Sequence, residues 1–328
     1  MSSRRTAVTV LIGMAAAGFA GLPGCSSHPE PWEKLSGPPR VVVSVPALYS
    51  FVKQVGGDRV GVICLCTQTG PHHYEYNPND AVALKKADRL LGIGLGLDEK
   101  FLDKLVSNSG SIDPKKYVKL GDSKSLREDY KILEGGKDPH LWLGIHTAKK
   151  LVLAIADELK AADPPHAAEY TKNADDYCKK LDALRSEYRG KLKGWVDEKI
   201  LPMHDALQYF GDKQSFHLNI QEAIELTPGE MPTSERYKKL LDLCTDADEK
   251  DVNARKPIRF IATEPQYEEK AAEVLKSELK KKGIDAVLIE IDPLETADPK
   301  ELNADWYETK MRENLDRLVT KLADNKKK

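Results

Sequence analysis

Eight histidines occur in the chain, and three of them stand where loops leave apolar runs: His72 in GPHHYEYNPND, His140 in DPHLWL and His204 in PMHDALQYF. Neutral imidazole is a borderline nitrogen donor suited to zinc, and a carboxylate can complete such a set. Asp292, which ends the β-rich run AVLIEID just before Pro293 and Leu294, is a fourth candidate, although spacing alone does not assign it. The four lie too far apart for a zinc finger, so tertiary folding from two halves of the chain must assemble them. His73 is an alternative to His72, because adjacent side chains of extended backbone point apart. Glu264, ending RFIATE, could supply a carboxylate directly or orient a histidine from behind. His28, His146, His166 and His217 read as surface or capping residues.

Such a site needs a scaffold that brings loop ends together, and the patterning supplies one. RVVVSVP, DRVGVICLC, ADRLLGIG and YVKLGD are β-like segments, alternating with helical ALYSFVKQVGG and FLDKLVSN; that alternation argues for parallel βα units. In open α/β sheets ligands bind beyond the carboxyl ends of the strands. After HTAKKLVLAIADELKAADPP, the stretch from His166 to Trp195 has no proline and carries Ala168, Tyr177, Leu181, Leu184, Tyr188 and Leu192 as a helical stripe. As one helix it would span about 45 Å and could act as a spine between two lobes. The alternation resumes with KILPMHD, SERYKKLLDLC, PIRFIATE, QYEEKAAEVLKSELKKKG, DAVLIEID and a closing helix from about Asp305 to Ala323. No internal repeat is visible in the sequence. Gly92, Gly94 and Gly96 do not fit a dinucleotide fingerprint and are read as a turn with close backbone approach.

With 328 residues, 41% hydrophobic and 31% charged, the chain is long enough for two domains and too well balanced to be disordered. A net charge of −2 leaves no basic excess for nucleic acid. Arg4 and Arg5 precede an apolar Ala/Gly-rich stretch with the form of an export signal, too short and small-chained for a permanent span. The paired arginines are also a weak twin-arginine match. Leu22-Pro23-Gly24-Cys25 resembles a bacterial lipobox, which would make Cys25 the acylated new N-terminus, and SSHPEPWEKLSGPP reads as a tether. Cys64 and Cys66 face the same way on one strand, so a mutual disulfide is awkward; burial as small hydrophobes is expected. The boundaries that follow are 1–24 signal, 25–39 tether, 40–163 first α/β lobe, 164–195 linking helix and 196–328 second α/β lobe.

These segments together resemble the metal-specific solute-binding lipoproteins of bacterial ABC importers for zinc and manganese, the ZnuA/TroA type. PHHYEYNPND is similar to that family's P-H-x-Y-E-x-x-P-x-D, DPHLWL to its D-P-H-x-W-L, HDALQYF to its H-D-A-F-G-Y-F, and IDPL to its D-P-L, in this order. The resemblance implies two α/β lobes joined by a long backbone helix, with one metal in the interlobe cleft held by His72, His140, His204 and Asp292. It implies a monomeric, exported periplasmic or cell-surface lipoprotein, anchored to a membrane through Cys25, that captures Zn2+, or alternatively Mn2+, and delivers it to an ABC permease without making or breaking a bond. Gly144 stands where the family commonly has Asp, Leu207-Gln208 where it has Phe-Gly, and Met231 where it often has Glu. No His-rich metal-collecting loop is present in the sequence. A zinc hydrolase and a metal-free adhesin or structural lipoprotein are the rival functions; no H-E-x-x-H pair or nucleophile elbow favours the first.

Overall fold

The computed structural model describes residues 39–108, 110–133, 136–223, 233–246, 256–265 and 270–326. The signal, Cys25 with most of the tether, His28 and Met231 lie outside the described residues.

The β-branched run after Pro39 forms β1 (Arg40–Val43), whose Val41, Val42 and Val43 are wholly buried. β2 (Gly61–Cys64), β3 (Arg89–Gly92) and β4 (Tyr117–Lys119) join it in one sheet of order β2-β1-β3-β4, every pair parallel. A short antiparallel hairpin, β5 (Ile132–Leu133) and β6 (Gly136–Lys137), follows. The second sheet comprises β7 (Lys199–Pro202), β8 (Asn219–Ile220), β9 (Phe260–Thr263) and β10 (Val287–Glu290), again all parallel, in the order β10-β9-β7-β8. Taken in chain order within each sheet, both run second, first, third, fourth. The chain thus repeats its topology without repeating its sequence.

Parallel strands are apolar on both faces and must be covered on both. α1 (Pro46–Gly56) starts on Pro46, whose missing N–H is harmless in a first turn, and stops at Gly57 with φ 56°. α2 (Pro78–Lys86) was not evident from apolar periodicity, yet its start is written in NPND: Asn77 accepts from the backbone of Asn79 and Asp80, while Asp80 accepts from Asn77. FLDKLVSN becomes a π-turn at residues 99–103 running into α3 (Lys104–Asn108). α4 (Ile145–Ala162) buries Ile145, Ala148, Leu151, Val152, Ile155 and Leu159, and α5 (Ala167–Leu192) buries Tyr170, Ala174, Tyr177, Leu181, Leu184, Tyr188 and Leu192. The α5 set repeats every three or four residues, and the α4 set falls at i, i+3, i+6, i+7, i+10 and i+14, which places each on one helix face. α6 (Gln208–Gly211), α7 (Ser234–Thr245), α8 (Lys270–Lys281) and α9 (Trp306–Lys326) complete the element order.

The spine α5 packs on α4, α1 and α9. Around it one hydrophobic core runs unbroken from Val41 and Phe51 through Tyr177 and Leu184 to Phe260, Ile289 and Leu322, so the inner faces of both sheets share it. The outer faces have their own smaller cores, one under α2 and α3 and one under α7 and α8. Among the described residues no helix is long and apolar enough to cross a membrane. Cys64, Cys66, Cys178 and Cys244 are all free thiols, and burial pushes the Cys64 and Cys66 thiols up.

Candidate metal centre

His72 follows β2, His140 follows β6, His204 follows β7 and Glu295 follows β10, so every one of these residues lies on a loop beyond the carboxyl end of a strand. One potential ligand atom from each lies within 4.8 Å of all the others. The imidazole centroids stand 5.2–5.6 Å apart, and Glu295 Oε1 is 3.2 Å from His72 Nε2 and 3.0 Å from His140 Nε2. In tetrahedral zinc with bonds near 2.0–2.1 Å the donors would be about 3.3 Å apart. Small side-chain rotations therefore suffice to close this cluster on an ion.

His140 and His204 are each aimed by a carboxylate behind the ring. Asp138, fully buried, accepts from both the backbone N–H and the Nδ1–H of His140 at 2.8 Å, which turns Nε2 toward Glu295. Trp142 packs edge-on against the His140 ring. His204 Nδ1 faces Glu264 Oε1 at 3.3 Å, again leaving Nε2 for the centre. His72 is placed by the turn in which His73 N–H donates to Gly70 O, and by Tyr74, whose hydroxyl donates to the α2 cap residue Asp80 and whose ring packs on Phe101. In PHHYEYNPND, then, the trailing residues cap a helix and the tyrosine ties the histidine loop to it.

The electrostatics fit a waiting cation site. Burial, the largest single influence on His140, disfavours its charge, but the hydrogen bonds it donates to Asp138 and Glu295, with their charges, outweigh it and raise its pKa to about 10. Burial also pushes the Glu295 carboxyl up, and the bonds and charges of His140 and His72 reverse this, holding it well below the usual carboxylate range. His140 and Glu295 thus form a buried imidazolium–carboxylate pair, the proton standing where a metal would bind. Burial lowers His204 to about 3, so it is neutral and ready to ligate, and burial raises Glu264 to about 8.

Three of the four expected ligands converge here, and the fourth does not. Asp292 Oδ1 accepts from Leu294 N–H at 2.8 Å, while the Asp292 backbone is bonded on both sides by Asn314. The Asp-Pro-Leu segment is a turn held in place, and it delivers Glu295, 2% exposed, to the centre. Leu294 takes φ 61° in making that turn. The signal was present in IDPLE: the next carboxylate stands one residue past the expected motif. His73 is exposed and outside the cluster, so it does not replace His72. Glu264 sits behind His204, with its Oε2 buried and without a hydrogen-bond partner. His146 is not a surface residue; it is buried at the start of α4 beside Ser215 and Asp129, and burial pulls its pKa down. His166 is bonded to Asp163 ahead of α5.

The site is braced across the cleft. Trp142 Nε1 donates to Pro293 O at 2.8 Å, Tyr307 donates to Trp142 O at 2.6 Å, and Tyr209 donates to Asp138 O at 3.2 Å. Gly144 abuts the same Tyr209: a Cβ there would lie 2.6 Å from Thr147 Oγ1 and 2.9 Å from Tyr209 Cβ. A side chain at this position would require Thr147 and Tyr209 to shift. Gly92 ends β3, and the chain turns just beyond it, with Gly94, Leu95 and Gly96 all at positive φ and Gly94 N–H donating to buried Asp98.

Comparison with known proteins gives a consistent picture. The family described as "Zinc-uptake complex component A periplasmic" (ZnuA) matches residues 41–321. The chain is 31% identical over 275 residues to the high-affinity zinc uptake system protein ZnuA of Brucella abortus (strain 2308), covering 70% of this chain and 78% of that one. It is 31% identical over 213 residues to the manganese-binding lipoprotein MntA of Halalkalibacterium halodurans, covering 62% and 68%. The crystal structure of a ZnuA superposes with a TM-score of 0.68 at 25% identity, over 87% of this chain and 99% of that one.

Proposed function

Because the chain belongs to the ZnuA family of periplasmic zinc-uptake components, we propose that it is an extracytoplasmic solute-binding protein whose cargo is Zn2+, captured by His72, His140, His204 and Glu295. The observation that carries this reading is the convergence of three imidazoles and one buried carboxylate in a cleft between two parallel sheets. Three nitrogens and one oxygen suit zinc, whereas manganese favours oxygen-rich sites, and divalent zinc outranks manganese at most nitrogen donors. Four protein donors leave no position for a catalytic water, so the arrangement supports binding and release rather than hydrolysis. Cargo would pass to an ABC permease, and acylated Cys25 would keep the protein, a monomer of two lobes on one spine, at the membrane where that permease lies.

Competitive titration of the metal-stripped chain against a chromophoric chelator tests this, with zinc and manganese in parallel. Zinc binding tighter by orders of magnitude is expected. A preference for manganese would transfer the cargo to the metal of the MntA relative, and failure to bind either ion would remove the reading altogether.

A further inference from the structure

A cavity of about 240 Å³ opens onto His72, His140 and His204. His72 is the outermost of the three: its side chain is 33% exposed, against 2% for His140. Among the described residues lining this cavity only two others carry charge, Asp205 beside the site and Lys137 on the β5–β6 hairpin. Leu95, Leu97 and Leu133 form much of the remaining wall. A cleft with apolar, low-dielectric walls focuses the field of the few charges it contains, which raises the local concentration of an incoming ion of opposite sign. Lys137, which would oppose a cation, is turned to one side: its Nζ stands 4.2 Å from the centroid of the Tyr130 ring, and that ring is fixed by a 2.7 Å bond from the Tyr130 hydroxyl to Gly121 O.

On the reading of the centre as a zinc site, we propose that this cavity is the entry vestibule, in which Asp205 draws the hydrated dication to His72 before the buried donors engage. Lys137, parked on Tyr130, is the opposing gate charge. Asp205 is not one of the four clustered donors. Its carboxylate accepts from the Gln208 amide at 3.4 Å and from the Ala223 backbone N–H, which hold it at the cavity wall where an incoming ion passes. Its role is kinetic: it sets how fast the ion arrives more than how firmly the imidazoles and Glu295 hold it.

The test is stopped-flow mixing of the zinc-free full chain with zinc chloride, followed by tryptophan fluorescence, since Trp142 packs against His140. Asp205→Asn is expected to slow association about fivefold at low ionic strength, with the difference shrinking as salt is added, and to leave dissociation into excess chelator nearly unchanged. Lys137→Gln should accelerate association severalfold. If Asp205 only supported local structure, its replacement would lower the melting temperature and speed dissociation while association stayed at the wild-type rate; that pattern overturns the proposal, as does Lys137→Gln without acceleration. Equal association rates in variants that still bind zinc tightly would reject the vestibule alone. A wild-type chain that binds no zinc would reject the site beneath it.

Discussion

At the residue scale the fourth donor decides the chemistry of the site. Glu295 touches His72 and His140, whereas Asp292 is engaged in the turn that presents Glu295. Glu295→Gln should therefore weaken zinc binding about a hundredfold or more, since a neutral amide is a poor donor and removes the one negative charge in the donor set. Asp292→Asn keeps an oxygen that can accept from Leu294 N–H, and its affinity should stay within a fewfold of wild type. Calorimetric titration of both variants settles the order; equal losses would return the ligand role to Asp292. The proton between His140 and Glu295 has its own consequence. With the His140 pKa raised to about 10 by its bonds to Asp138 and Glu295 against the pull of burial, zinc must displace a proton at neutral pH. About one proton should be released per zinc at pH 7.5, measurable from binding enthalpies in buffers of different ionisation heat. The sign for the zinc-free protein is opposite to that for zinc affinity. A histidine raised in the folded state stabilises it fully below the unfolded value near 6.5, and that contribution is lost as pH climbs toward 10, while apparent zinc affinity rises over the same range.

At the element scale, loops at strand ends place the donors and cross-cleft packing fixes the loops. Gly144 starts α4 with no room for a β-carbon between Thr147 and Tyr209. Gly144→Ala should cost about 1–3 kcal/mol through overpacking, read from the urea midpoint of the zinc-free chain; an unshifted midpoint would mean that Tyr209 yields at no cost. Much of this layer was legible beforehand. The β-branched run after Pro39 marked β1, short apolar segments marked β7 and β9, helical patterning marked α4, α5 and α9, and three histidines were singled out by their place just beyond such runs. What escaped notice had weak or misleading local signals. α2 lacks a strong apolar stripe and announces itself only through the reciprocal Asn77–Asp80 cap. The β5–β6 hairpin is two residues per strand, too short for any period to register. His146 looked like a capping residue because its burial comes from Ser215, remote in sequence. Glu295 was passed over because motif position pointed to Asp292, and the turn that sets Glu295 beside the histidines is held by Asn314 of α9.

At the scale of the whole molecule the two sheets are less independent than their repeated topology suggests. The unbroken core around α5 joins their inner faces, and backbone bonds such as Ala297 N–H to Thr67 O at 2.8 Å tie loops of one lobe to loops of the other beside the metal centre. Unfolding either lobe alone would expose the apolar faces of α1, α4, α5 and α9 together, a penalty that makes partial unfolding unfavourable. Calorimetry should accordingly give a single cooperative transition for the zinc-free chain. The proposed zinc site is drawn from both halves and is present only when both are folded, so zinc should move that whole transition upward. At a thousandfold excess over Kd the added stability is about 4 kcal/mol, which corresponds to an increase in Tm on the order of 10 °C, and EDTA should abolish it. Two resolved transitions, with zinc shifting only one of them, would instead assign the functional donors to a single lobe and make the shared core a contact surface rather than a common interior.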